Sequence, residues 1–197
     1  MTHDGTKLPR SFYVRPTLSV ARDLLSTTLI YHHPQGILAA HIVEAEAYIG
    51  EDDPACHAAV GPTERNRVMY EPGGCVYIYF IYGMYHCFNI VTERKGFPAA
   101  VLIRAVEPAS GEDIMAANSP ADCTFATNGP GKFCRAFGLT RQQNGLDLTG
   151  PTMYLVERKG YTPSVGVSRR IGISKGADKP WRFFDENSRY VSVPAAT

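Results

Sequence analysis

Hydrophobic and polar residues recur along the chain with periods that change from segment to segment, and each period predicts an element. Over residues 16–26 (PTLSVARDLLS) Leu18, Ala21 and Leu25 fall three and four apart, the spacing of one helix face, with Pro16 near its start. A short strand is expected at 29–31, a turn in HHPQG, and a long strand from Ile37 to Ile49. Side chains of a strand alternate between faces, so Glu44, Glu46 and Tyr48 share one side while Val43, Ala45 and Ala47 take the other. The polar loop GEDDPACHAAVGPTERNRVM leads to an aromatic hairpin turning near Tyr82, Gly83 and Met84. The strand AAVLIRAVEP then carries Arg104 inside an apolar run. Ser110 with Asp113 forms the spacing of a capping box before the helix EDIMAAN. NGPGKFCRAFGLT reads as a glycine turn opening a helix that Gly138 stops, and short strands are expected in TMYLVE, VGVSRRIGIS and WRFFDE. Strands outnumber helices. The predicted class is α+β, a single domain with a curved, mostly antiparallel sheet flanked by helices and bearing a protruding β-hairpin; residues 1–15 are expected to form a loosely ordered arm.

Composition narrows the function. The chain has 197 residues, room for one domain with a sizeable core, and a formal charge of +1 with 20% charged and 44% hydrophobic residues. A disordered chain and a strongly basic tail are thereby excluded, so an anionic partner must be held by local charge. The 18 glycines and 14 prolines promise turns and shaped loops. Five cysteines form no CxxC pair, and MTHDGTKLPR has no apolar signal core, which fits reduced thiols in a cytoplasmic or nuclear compartment and argues against secretion. Residues 73–92 lack Lys, Arg, Asp and Glu and approach the length of a membrane span. Four tyrosines, Gly83, His86 and Asn89 make that reading costly, and two strands around a turn fit the aromatic and β-branched content.

Several residues could carry chemistry. A carboxylate on the 37–49 strand beside the Arg104 guanidinium could accept a proton from water, but pattern alone leaves open whether Glu44 or Glu46 does so, or whether both are solvated strand residues. Tyr77, Tyr79, Tyr82 and Tyr85 could be platforms for flat ligands or core aromatics. Neither Cys56 with His57 nor His32 with His33 has the paired spacing of a zinc site, so no metal is expected; Cys56 beside His57 also lacks the third member of a thiol triad. Between Arg158 and Arg182 seven basic residues face one acid, Asp178, which suggests either a phosphate-facing surface or a solvated one. The GPGK turn could offer amides to a phosphate but lacks the nucleotide-binding pattern GxxxxGK[ST].

Taken in order, ARDLL, IVEAEAYIG, DDPACH, the RN of ERNRVM, YIYFIYGMYHCFN, VLIRAVEP, NGPGKFCRAFGLT, RRIG and KPWRF resemble the alkyladenine (3-methylpurine) DNA glycosylase family, compact bacterial-type members in particular, from Ala21 to Phe183. The resemblance implies a monofunctional glycosylase that flips damaged purines out of double-stranded DNA, as a monomer, without a cofactor and away from membranes. It implies that Glu46 is the general base and that Arg104 lies beside the nucleophilic water. Tyr48, His57 and Tyr79 match the walls around the flipped base, Asn89 a residue that discriminates against guanine's amino group, and Ile171 a position whose carbonyl helps hold the water. Tyr82 matches the side chain that fills the vacated stack; Met84, Lys132, Arg169, Arg170 and Lys175 go to the DNA surface. The chain departs from the family's pattern at Cys56, where a small residue is expected, and at Pro62, and residues 109–127 have no match. A non-enzymatic nucleic-acid binder and a hydrolase of free nucleosides are the competing classes.

Overall fold

The structure, a computed structural model, describes residues 5–120 and 125–193. Among these residues the frame is an eight-stranded sheet: β1 (Thr27–His33), β2 (Gly36–Ile49), β3 (Val76–Ile81), β4 (Tyr85–Val91), β5 (Ala99–Ser110), β6 (Met153–Glu157), β7 (Val165–Ser168) and β8 (Arg182–Asp185). Every pairing is antiparallel, along the path β3-β4-β5-β2-β1-β6, with β8 joined to β2 and β7 outside it. Four short helices complete the α+β fold: α1 (Arg10–Tyr13), α2 (Thr17–Asp23), α3 (Glu112–Ala117) and α4 (Pro130–Ala136).

The 14-residue β2 organises everything else. One edge pairs with β5 along its length; the other pairs with β1 as far as His41 and with β8 at Glu44–Glu46. Where the neighbours change over, the β2–β5 register is irregular, with shifts between Ile42 and Glu44 and between Glu44 and Ala45. The shift reverses the alternation of both strands. On β2 the main core takes Leu38, Ala40 and Ile42 before it and Ala45 and Ala47 after it; on β5 it takes Val106, then Ile103 and Val101. Strict alternation continued from Leu38 would have driven Glu44 and Glu46 into this apolar layer, and the irregularity instead turns them with Arg104 to the opposite face. That core is closed by α2 and α4, where Phe133 meets Phe88 and Phe137 edge to face. Over the opposite face, residues 50–72 fold back and pack Cys56, Ala58, Val68 and Met69 against Tyr77, Val91 and Ala100, leaving a cavity between loop and sheet.

Four local expectations need correction. The buried face of the first long helix is Thr17, Val20 and Ala21, continued by Leu24 and Leu25, while Leu18 is exposed. The Glu93 carboxylate accepts from the Thr17 amide at 2.8 Å and fixes this rotation from outside the helix. Ser110 does not cap α3: it ends β5, and Gly111 is the N-cap at φ 80°, where a Cβ would sit 2.5 Å from Leu38. The segment expected to be a loose arm is packed from residue 5 onward, with Leu8 and Tyr13 buried and Arg10 bonded to Gly73 and Asp147; residues 1–4 lie outside the described residues. Residues 169–174, expected to continue a strand, leave it after Ser168. The uncharged stretch 73–92 forms β3 and β4, and among the described residues no helix is long and apolar enough to cross a membrane.

Candidate active site

Both strand glutamates are fully buried, so neither is a solvated strand residue, and their partners separate them. The Glu44 carboxylate is saturated. Its Oε1 accepts from Arg104 Nε at 2.8 Å, Arg182 Nε at 2.8 Å and Ser192 Oγ at 2.9 Å, and its Oε2 from the Ser192 amide at 2.6 Å. Glu46 holds fewer groups, and each belongs to the cavity wall: the Ile171 amide at 2.7 Å, the Tyr48 hydroxyl at 2.9 Å and Arg104 Nη1 at 3.4 Å. Burial raises the Glu46 carboxyl above its ordinary value, and Glu44 adds to this; Arg104, the Ile171 amide and Tyr48 oppose the shift without cancelling it. The guanidinium thus moderates the rise that burial imposes on the Glu46 carboxyl. Burial and Glu46 together push the Tyr48 hydroxyl well above its usual range, so it stays protonated and donates.

The cavity above this floor measures about 450 Å³, room for one flat heterocycle and its sugar. Its walls are Tyr48 from β2, His57 from the returning loop, Tyr77 and Tyr79 from β3, and Cys87 and Asn89 from β4. His57 Nδ1 pairs with the Tyr77 hydroxyl at 2.8 Å, and its ring stands edge to face with Tyr79 at 4.4 Å. Burial, helped by Arg65, pushes the His57 imidazole down to about 4, so it is a neutral wall at physiological pH. The Asn89 side-chain amide donates to the carbonyls of Tyr77 and Cys87, which turns its Oδ1 acceptor toward the cavity. At the mouth the β3–β4 turn places Tyr82 at φ 54° and Gly83 at φ 68°; Tyr82 and Met84 are 78% and 61% exposed. Tyr85 rests on Gly131 of the GPGK turn, where a Cβ would come within 2.7 Å of the ring. Lys132, bonded to Asn128 Oδ1 at 2.9 Å, lies on the same rim.

The late basic stretch divides. Arg169 and Lys175 are exposed on either side of Ile171. Arg170 and Arg182 are buried cations and so cannot form part of a phosphate-facing surface. Arg170 is clamped between the rings of Tyr48 and Trp181 and bonds Asp53 through Nη1 at 2.5 Å and Nη2 at 2.8 Å. This pair ties the loop before His57 to the loop carrying Ile171, so its effect on the cavity is structural support from behind. Ile171 adds a contact that the resemblance did not imply: its amide N–H donates to Glu46 at 2.7 Å.

Sequence reasoning missed four supports. Asp53 and Asn66 sit inside the quoted strings DDPACH and ERNRVM without a role; Asn66 bonds the carbonyls of His57 and Gly61, each at 2.9 Å, and so holds the histidine loop in place. Tyr77 was grouped with the hairpin aromatics, and its hydroxyl fixes His57. Ser192 carries no signal at all. Among the described residues no group of three His, Cys, Asp or Glu side chains is placed to hold a metal ion, and the four described cysteines form no disulfide; Cys123 lies outside the described residues.

A buried carboxylate beneath an aromatic-walled slot is an arrangement suited to a hydrolase that works on a flat base attached to a sugar. The methylpurine-DNA glycosylase (MPG) family model matches residues 11–189, and the chain belongs to that family, whose members hydrolyse N-glycosyl bonds in DNA repair. Relatives named "Putative 3-methyladenine DNA glycosylase" include one from Methanocella arvoryzae, 50% identical across 95% of this chain and 96% of its own. Those from Desulfitobacterium hafniense (42% identical, 95% and 98% covered) and Sodalis glossinidius (47%, 91% and 96%) carry the same name.

Proposed function

We propose that the chain is a monofunctional DNA glycosylase that extrudes alkylated or deaminated purines, such as 3-methyladenine, hypoxanthine or 1,N6-ethenoadenine, from duplex DNA and hydrolyses the N-glycosidic bond. The observation that carries this reading is the convergence of Tyr48, Arg104 and Ile171, all lining one cavity, on the single carboxylate of Glu46. A base within a duplex is out of reach, so the nucleotide must leave the stack at a cost of a few kcal/mol. Tyr82, exposed at the hairpin tip beside the mouth, fills the vacated space, with Met84 against the neighbouring step and Lys132, Arg169 and Lys175 on the phosphates. Tyr48, His57 and Tyr79 stack on the extruded purine, and the Asn89 acceptor favours bases without guanine's amino group.

Glu46 lies fully buried just behind the cavity lining, and the attacking water takes its place on the floor beside Arg104 Nη1, the longest of the Glu46 contacts at 3.4 Å, displacing that contact to reach the carboxylate. Glu46 takes the water's proton as the oxygen bonds to C1′, and the electron pair of the N-glycosidic bond leaves with the base. Among the described residues the amine that lines the cavity, Lys132, is held on the rim by Asn128, so the product of this reaction is an intact strand with an abasic site. In this reading the chain acts as a monomer, on the DNA of the nucleoid or nucleus. The test is incubation with duplexes bearing methylated purines, hypoxanthine or ethenoadenine, followed by alkaline cleavage at abasic sites. Tight lesion binding without base release would favour a non-enzymatic binder, and release from free nucleosides alone a nucleosidase.

A further inference from the structure

The segment 188–193 reaches the site from behind. Arg182 donates to the Val193 carbonyl while its Nε holds Glu44 at 2.8 Å, and the Tyr190 ring stands edge to face on Phe125 at 5.2 Å. These anchors set Ser192 against the carboxylate network at three points: its amide and hydroxyl donate to the two oxygens of Glu44, and its oxygen accepts from Arg104 Nη2 at 3.4 Å. Arg104 therefore spends each guanidinium nitrogen on a different group, Nε on Glu44, Nη1 on Glu46 and Nη2 on Ser192. The contacts of Nη1 and Nη2 are equally long at 3.4 Å, so the short bond of Nε to Glu44 at 2.8 Å is the anchor of the guanidinium, and Ser192 acts mainly by fixing Glu44 through two short bonds of 2.6 and 2.9 Å.

We propose that Ser192 is a positioning residue of the reaction, locking Glu44 and Arg104 so that the guanidinium stays turned toward the Glu46 carboxylate. The inference rests on the reading of Glu46 as the base. Without the Ser192 hydroxyl, Glu44 loses one of four donors and Arg104 one of three acceptors, and the guanidinium is free to swing wholly onto Glu44. Glu46 then loses part of its opposing cation and becomes harder to deprotonate. The other groups around Glu46 stay as they are: Glu44 and Tyr48 on its own strand, Cys87 on β4, Arg170 on the loop after β7, and Arg182, its register neighbour on β8.

The experiment follows release of methylated purines from methylated duplex DNA against pH, together with the titration of the Glu46 side-chain carboxyl carbon by NMR in the free protein. In Ser192→Ala the acid limb of kcat/KM and the carboxyl titration both move up by about half a pH unit to one unit, the scale of one ordinary hydrogen bond. Ser192→Thr, which restores the hydroxyl, returns both to the wild-type position. Ser164→Ala removes a hydroxyl bonded to Glu186 in the same region and leaves both unchanged. A lower melting temperature in Ser192→Ala with an unmoved limb and titration makes the segment merely structural and overturns the proposal, as does an equal shift in Ser164→Ala. If the wild-type protein released no base, the reading of the function would fail, and the carboxyl titration would still decide whether Ser192 orients Arg104.

Discussion

Replacing Glu46 by Gln separates the proton acceptor from the shape of the site. The amide fits the existing bonds: its oxygen accepts from the Ile171 amide, now 2.7 Å from Oε1, and its NH2 donates to the Tyr48 hydroxyl, 2.9 Å from Oε2, which accepts as readily as it donates. Arg104 gives up a 3.4 Å contact and keeps Glu44 at 2.8 Å. The pocket should therefore survive and the lesion still bind, while excision falls by about 10²–10⁴-fold, the usual worth of a general base. Stability gives a second, opposite signature. A carboxyl raised in the folded state stabilises the fold below its unfolded value, and that contribution disappears as pH climbs through the folded value. The neutral Gln has no such loss, so the variant should gain on wild type as pH rises from about 4.5 toward 8. Single-turnover release from a lesion duplex and thermal melts at both ends of that range test both signatures. Excision within about tenfold of wild type, or a variant that loses ground as pH rises, would refute the reasoning.

The neighbouring carboxylate should behave differently: Glu44→Gln leaves two buried guanidinia short of charge and should cost roughly 3 kcal/mol in chemical denaturation, and in any surviving folded protein the acid limb of excision should move down, because Glu44 helps raise the Glu46 carboxyl. His57, held down to about 4, binds its proton mainly in the unfolded chain between its ordinary value and that one, so its stabilising contribution is lost as pH falls through this window. His57→Gln should flatten the drop in melting temperature there, and an unchanged drop would contradict the assignment. Tyr82→Ala should slow excision of paired lesions more than of mismatched ones, where extrusion costs less; equal slowing would make Tyr82 a structural residue. Arg169→Ala or Lys175→Ala should each reduce the slope of log affinity against log salt by about 1 without altering lesion choice, whereas Arg170→Ala, removing a buried partner of Asp53, should act through the melting temperature.

What the sequence revealed and what it hid divide along a physical line. Local patterns read well: the alternation from Glu44 to Tyr48, the turn at Tyr82 and Gly83 and the glycine entry to α4 all depend on neighbours within a few residues, and the structure has them there, whereas the break in alternation just before Glu44 is set by β5. The hidden features depend on partners far away in the chain. The rotation of α2 is fixed by Glu93, 76 residues on, and Arg170 is withdrawn from the surface by Asp53, 117 residues back. A basic residue in a basic stretch looks solvated until its counter-ion is known, and charge counting cannot distinguish Arg169 from Arg170.

The same line explains why the two glutamates looked alike. Both lie on one face of one strand, two residues apart, and alternation treats them as equivalent. The paired irregularity in β2 and β5 sets Arg104 between them, and what then distinguishes them is the number of donors each receives from outside the strand: four for Glu44, with Arg182 and Ser192 adding to Arg104, against two for Glu46, Arg104 and the Ile171 amide, which Tyr48 of the same strand joins. The Glu44 carboxylate, filled by two buried guanidinia and by the amide and hydroxyl of Ser192, has no acceptor site to spare. Glu46, raised by burial, is held only by groups that line the cavity, which is what marks it as the proposed base. The division of labour between Glu44 and Glu46 is thus a consequence of sheet branching, since β8 reaches β2 at the point where β1 leaves it and delivers Arg182 to the first carboxylate, leaving the second for the cavity.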